Sequence, residues 1–226
     1  MSNLITSSDD NIDFQSHRPG RLRVAVEPLL RTQGYKDFSR IRPEIMEMAK
    51  TMASRAEDLA APYVIYRQLD IVSCEPGRLV LGSGNEFEGE DFDRTLTDCQ
   101  IAVPFVLTLG DGLDSEVISL IQADEILNAL FLEIAGWICI EQATRSFAKH
   151  LQADAGKTNC RLSRRLGPGY KGWDLMQQKP FFELFAGADV PVRLMESCIM
   201  LPKKSRSGLY GFLPTSKPRF RAEVKH

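Results

Sequence analysis

The side chains best equipped for chemistry crowd into one stretch, Arg164 to Phe185, which reads RRLGPGYKGWDLMQQKPFFELF. Arg165 presents a planar fork of donors matched to a carboxylate or a phosphate. Tyr170 and Trp173 add flat apolar faces with polar handles, suited to stacking or to a cation. Between them Pro168 fixes one backbone angle, while Gly167 and Gly169 allow shapes and close approaches that other residues forbid. Two readings stay open on these residues alone. One is a ligand corner; the other is a structural turn whose arginine caps a helix carbonyl.

A second candidate follows in VRLMESCIMLPKKSRSGLYGF. Read as a strand, it puts Glu196 on one face with Val192, Leu194, Cys198 and Met200. A carboxylate on an apolar face needs a partner, because burying it unpaired is costly. An arginine of the corner, a ligand or a backbone turn would each serve.

Other patterns fall short of a site. GSGNEF follows a strand-like run, but Phe87 stands where a dinucleotide loop needs its third glycine, so a hairpin turn is expected. In GDGLDS, Asp114 reads as a helix cap. The three histidines, His17, His150 and His226, have no metal-ligand spacing. Glu141 and Arg145 are four apart on a helix and read as a surface ion pair.

The elements that must position these residues follow from periodicity. Pro43 to Leu59 has Ile45, Ala49, Met52, Ala53 and Ala56 at helical spacing. APYVIYRQLDIVSCE and GRLVLGSG predict two paired strands, and the acidic run Glu86–Asp93 leads into a short helix near 90–98. CQIAVPFVLTLG predicts a buried strand, followed by a long helical region over about 114–153 with a break near Gln122–Glu125. Its most apolar part, Ile126–Ile140, holds Asn128 and Glu133 and is shorter than the roughly 20 residues of a membrane span, so it reads as a core helix. Residues 174–186 predict a further helix, and VRLMESCIMLP with SRSGLYGFLP predicts a hairpin around KKS. Helices and strands come in clumps, so the expected class is α+β with an antiparallel sheet.

Residues 1–24 are expected to form a flexible arm, 25–215 the domain and 216–226 a basic tail. The wider basic run begins at Lys203 and takes in Lys204 and Arg206; it is either solvated or docks on an acidic partner. With 28 basic and 30 acidic residues the chain has no polyelectrolyte pull toward nucleic acid or an anionic membrane. Five scattered cysteines without a C-x-x-C pair point to reduced thiols and a cytoplasmic location.

Taken as an ordered pair, RLGPGYKGWDLMQQKPFFELF and LMESCIMLPKKSRSGLYGF resemble the activation (reactivation) domain of cobalamin-dependent methionine synthase, above all its standalone single-domain members. The matching elements are Arg-x-x-Pro-Gly-Tyr at Arg165–Tyr170, a Gln-rich helix start, and Glu-Ser followed by Pro-x-x-Ser-x-Ser-Gly at Glu196–Gly208. PFVLTLGDGLDSE also fits, so the resemblance covers roughly 25–215. It implies an α+β fold with a curved antiparallel sheet and flanking helices. It implies binding of S-adenosylmethionine and, in trans, contact with cobalamin on a partner methyltransferase or corrinoid protein. There an electron from a flavodoxin-like reductant and a methyl group from S-adenosylmethionine would convert the oxidised, inactive cob(II)alamin state back to methylcobalamin.

By the same resemblance, Arg165 would meet the ligand's α-carboxylate, and Leu166, Gly167, Pro168 and Gly169 would line its pocket. Tyr170 would sit where the ligand meets the corrin. Glu141 aligns with a helix glutamate of the family, and Glu196 and Tyr210 complete the expected set from the hairpin. Three departures are visible. TSKPRF replaces the paired tyrosines that follow the hairpin in full-length enzymes, Met195 replaces a threonine, and the family's arm aspartate has only Asp37 as a counterpart. They leave room for a second class, a non-catalytic module on the same fold that caps a corrinoid protein without binding S-adenosylmethionine. An independent methyltransferase is disfavoured by the lack of a Gly-rich loop after a first strand.

Overall fold

The computed structural model describes residues 14–170 and 172–216. Its organising element is β6, Ile101–Thr108, a run of apolar residues buried almost throughout. One edge of β6 pairs with β10 (Ser205–Pro214); the other pairs first with β2 (Tyr63–Tyr66) and then with β3 (Leu69–Glu75). Beyond these, β1 (Gln15–His17) adds to β2, and β4 (Gly77–Leu81) and β5 (Glu86–Gly89) extend the sheet past β3. β7 (Cys160–Leu162) pairs with the end of β10, giving eight strands, all antiparallel. The sheet curls into a half-barrel.

Both faces of the sheet are covered, which is why β6 lacks polar alternation. On one face Val103, Phe105 and Leu107 join Phe131, Phe147 and Tyr210 in a cluster roofed by helices. On the other, Ala102 and Val106 meet Phe87, Trp173, Phe181 and Leu209. The helical roof consists of α1 (Val26–Thr32), α2 (Pro43–Leu59), α4 (Gly112–Gln122) and α5 (Ile126–Lys157). α2 matches its predicted span, with Pro43 in the first turn, where its missing N–H costs nothing, and a buried stripe from Ile45 to Ala56. The break between α4 and α5 falls where the sequence places it, at Asp124, whose φ is +61°. α5 runs for 32 residues, so, contrary to the sequence expectation, it is long and apolar enough to cross a membrane; in this fold one side of it packs into the core, burying Phe131, Leu132, Phe147 and Leu151.

Several expectations change. The run at 61–75 is split into β2 and β3, so three strands stand where two were expected. Half of the acidic run is edge strand β5, ahead of α3 (Phe92–Leu96). The helix expected over 174–186 is a 3-10 turn, Leu175–Gln177, followed by α6, Gln178–Glu183. Part of the arm is ordered: Gln15–His17 forms β1, and Leu22 and Val24 are buried. Residues 1–13 and nearly all of the basic tail lie outside the described residues. Lys204 and Arg206, counted above with the basic run, are buried at the start of β10. The hairpin also moves. β8 (Arg193–Leu194) pairs with β9 (Met200–Leu201), whereas the long strand β10 pairs with β6.

Candidate functional site

The corner begins where Leu166 bridges to Leu209 on β10 through a reciprocal pair of backbone hydrogen bonds, 3.0 and 2.8 Å. This seam explains Gly208, since a Cβ there would stand 2.5 Å from the Leu166 carbonyl oxygen. From the seam the chain turns tightly: the Tyr170 N–H donates to the Gly167 carbonyl, and the Gly169 N–H to that of Trp173. Gly169 takes φ +83°, a left-handed conformation that glycine adopts without strain. The Glu90 N–H donates to the Gly172 carbonyl at 2.7 Å, tying the corner to the end of β5. Trp173 is 4% exposed, lies edge-on to Phe92 and Phe87, and donates from Nε1 to Gln177. It anchors the corner in the core, packed edge-on against its aromatic neighbours, while also lining the cavity beside the corner.

Arg165 and Tyr170 are brought together. The guanidinium carbon lies 4.5 Å from the centre of the Tyr170 ring, a cation–π contact, and the ring itself is half exposed. Arg165 Nη1 is buried, with no hydrogen-bond partner among the described residues. A buried donor without a partner is costly.

Behind the corner stands the outer face of α5. Glu141 accepts a 2.5 Å hydrogen bond from Arg206 Nη2, and Arg206 Nη1 donates to Thr144 Oγ1 at 3.0 Å. The Thr144 hydroxyl donates in turn to the Ile140 carbonyl. Glu141 therefore pairs across the fold with β10, which corrects its reading as the partner of Arg145. The Arg206 hydrogen bond, more than the fields of Arg206, Arg165 and Arg145, holds its carboxyl below the usual carboxylate range. Two turns earlier on the helix, Lys204 Nζ meets Glu133 at 2.7 Å and lies 5.1 Å from the Trp137 ring centre. Gly136 makes room for its stem, because a Cβ there would stand 2.7 Å from Lys204 Cε.

Of the two remaining expected residues, Tyr210 stays within electrostatic reach of Arg165, Arg206 and Glu141 but is buried, and Glu196 falls elsewhere. Tyr210 is 5% exposed, stacked on Phe105 in the core, and burial pushes its hydroxyl up in pKa. Glu196 is exposed in the β8–β9 turn, where the Met195 and Cys198 N–H groups close a tight loop onto Ile199 and Met195. The expected apolar strand face does not exist there, so its carboxylate needs no buried partner. Asp37 caps the 3-10 turn Phe38–Arg40 by accepting from the Ser39 N–H. Asp114 is not the cap of α4 either; it sits in the first turn and accepts from the Lys203 N–H. The hairpin turn expected at GSGNEF is present, joining β4 to β5.

A cavity of about 150 Å³ adjoins the corner, between Arg164, Arg165, Asp91, Phe92 and Trp173. Drug-sized ligands occupy pockets of about 300–1,000 Å³. This space holds a fragment, and the rest of a larger ligand would lie over the open side of the corner.

The sequence did not single out Arg206 and Thr144 as the group that engages Glu141. The available signal was the period-two face of β10, on which Arg206 and Gly208 share a side with Lys204 and Tyr210.

The fold is that of a reactivation domain. Comparison with solved structures matches 94% of this chain to 82% of a chain described as the crystal structure of the MetH reactivation domain bound to AdoHcy, with a TM-score of 0.57 and 14% identity. No family model matches the sequence, and no curated protein matches it.

Proposed function

We propose that this chain is an accessory protein that reactivates a cobalamin-dependent methyltransferase in trans, methionine synthase being the nearest candidate, by presenting an S-adenosyl ligand to a corrinoid partner. The observation that carries the reading is Arg165 on a reactivation-domain fold, with one donor lacking an acceptor and its guanidinium over Tyr170. The neighbour's bound AdoHcy is consistent with a ligand of this class. S-adenosylmethionine would supply the methyl group; what the protein contributes is position. Arg165 would grip the α-carboxylate, the backbone from Leu166 to Gly169 would line the ligand, and the exposed Tyr170 ring would face the partner. A flavodoxin-like protein would supply the electron, and the five free thiols fit a cytoplasmic setting.

Reconstitution tests this. A cobalamin-binding methyltransferase lacking its own activation domain is oxidised, then given reductant, S-adenosylmethionine and this protein. Recovery of turnover that depends on the protein, and falls at least about tenfold with Arg165→Ala, is the expected result, since losing a charge-assisted hydrogen bond costs about 1.5–3 kcal/mol. No recovery with the wild-type protein would refute the catalytic role. Partner binding without recovery would select the second reading, a non-catalytic cap, which the engagement of Glu141 by Arg206 favours.

A further inference from the structure

Resting on the reading of the corner as an S-adenosyl site, the charges behind it bear on which ligand it prefers. The amino-acid end of such a ligand carries one carboxylate and one ammonium, and a sulfonium adds a further positive charge close by. Arg165 suits the carboxylate. The acidic group on the facing helix that would balance the positive groups is Glu141, and it is already taken by Arg206 at 2.5 Å. Arg206 is 8% exposed and held on its second nitrogen by Thr144. Turning it away would leave a cation in apolar surroundings, at a cost larger than an exposed ion pair returns. Arg165, Arg206 and Arg145 all act on the one carboxylate, and across the cavity Asp91 faces Arg164 at 4.0 Å, so basic groups outnumber acidic ones around the corner.

We propose that Arg206 sets the charge preference of the site, so that it holds the S-adenosyl thioether, neutral at sulfur, more tightly than the sulfonium. The product of a methyl transfer then stays bound after the methyl group has left, and the ratio of thioether to sulfonium regulates how often the site is charged with donor.

Calorimetric titration of the full chain with S-adenosylhomocysteine and with S-adenosylmethionine tests this. The wild-type protein should favour the thioether by about fivefold, the size of one partly exposed charge interaction. The preference should shrink as salt screens the charges. Arg206→Met frees Glu141 and should bring the two affinities within about twofold. Equal affinities in the wild type, a preference for the sulfonium, or an unchanged ratio in Arg206→Met would overturn the role given to Arg206 while leaving the site intact. Binding of neither ligand by the wild type would overturn the reading of the corner itself. Should Arg206→Met not fold, the wild-type ratio at low and high salt decides, and a preference indifferent to salt sinks the proposal.

Discussion

Arg165 and Gly208 meet at the seam between the corner and β10, and the glycine is what lets the arginine's strand lie so close. An alanine at 208 would bring its Cβ to 2.5 Å from the Leu166 oxygen and to 3.4 Å from Arg165 Cγ. The seam would have to open, so Gly208→Ala should cost about 1–3 kcal/mol of stability, as overpacking does, and show as a lower midpoint in denaturant. An unaltered midpoint would mean that the seam gives way freely. At this scale the sequence was half readable. The juxtaposition of Arg165 and Tyr170 follows from a six-residue segment turning at Pro168 and Gly169, which is local information. The pairing of Glu141 with Arg206 joins positions 65 apart, and only the packing of α5 on β10 creates it. Glu196 misled because alternation was read through what is a tight turn, where Cys198 adopts a φ of +63°.

β1 illustrates order that an element owes to its neighbours. Three polar residues carry no periodic signal, so the sequence offered only an arm; the free edge of β2 supplies the hydrogen bonds that make it a strand. Its docking also rests on His17, whose ring stacks on that of His150 at 4.2 Å, above Phe147. His150 in turn shares a 3.0 Å hydrogen bond with the Tyr66 hydroxyl and lies 3.5 Å from Asp154, which is also paired with Lys157. Burial first, then the neighbouring His150, lowers the pKa of His17, against an opposing pull from Asp154. The folded state therefore binds the proton less readily than the unfolded chain, whose histidine titrates near 6.5. The contribution of His17 is fully present above that pH and is lost as pH falls below it. Hydrogen exchange at Gln15–His17, corrected for intrinsic rates, should quicken between pH 7 and pH 5 while β6 stays protected. Uniform protection of β1 across that range would contradict the account. The elements that sequence did place, α2 and β6, have the strongest burial patterns: a stripe at helical spacing, and an apolar run buried on both faces.

At the scale of the molecule, one curled sheet separates two cores, and the candidate site lies where three parts of the chain converge: α5, the corner and the first half of β10. The α+β class was legible because strands and helices cluster along the chain. The two-sided sheet was not, because the long reach of β10 to β6 depends on pairing across about a hundred residues. That convergence gives the central claim a direct test. In a backbone-amide NMR titration of the full chain with S-adenosylhomocysteine, the largest shifts should map to Leu166, Gly167, Gly169 and Tyr170, with a second group on α5 around Glu141 and Thr144. Arg165→Ala should abolish them. Saturating addition that leaves these amides unmoved, or shifts clustered on another face of the molecule, would contradict the assignment of this corner as the ligand site.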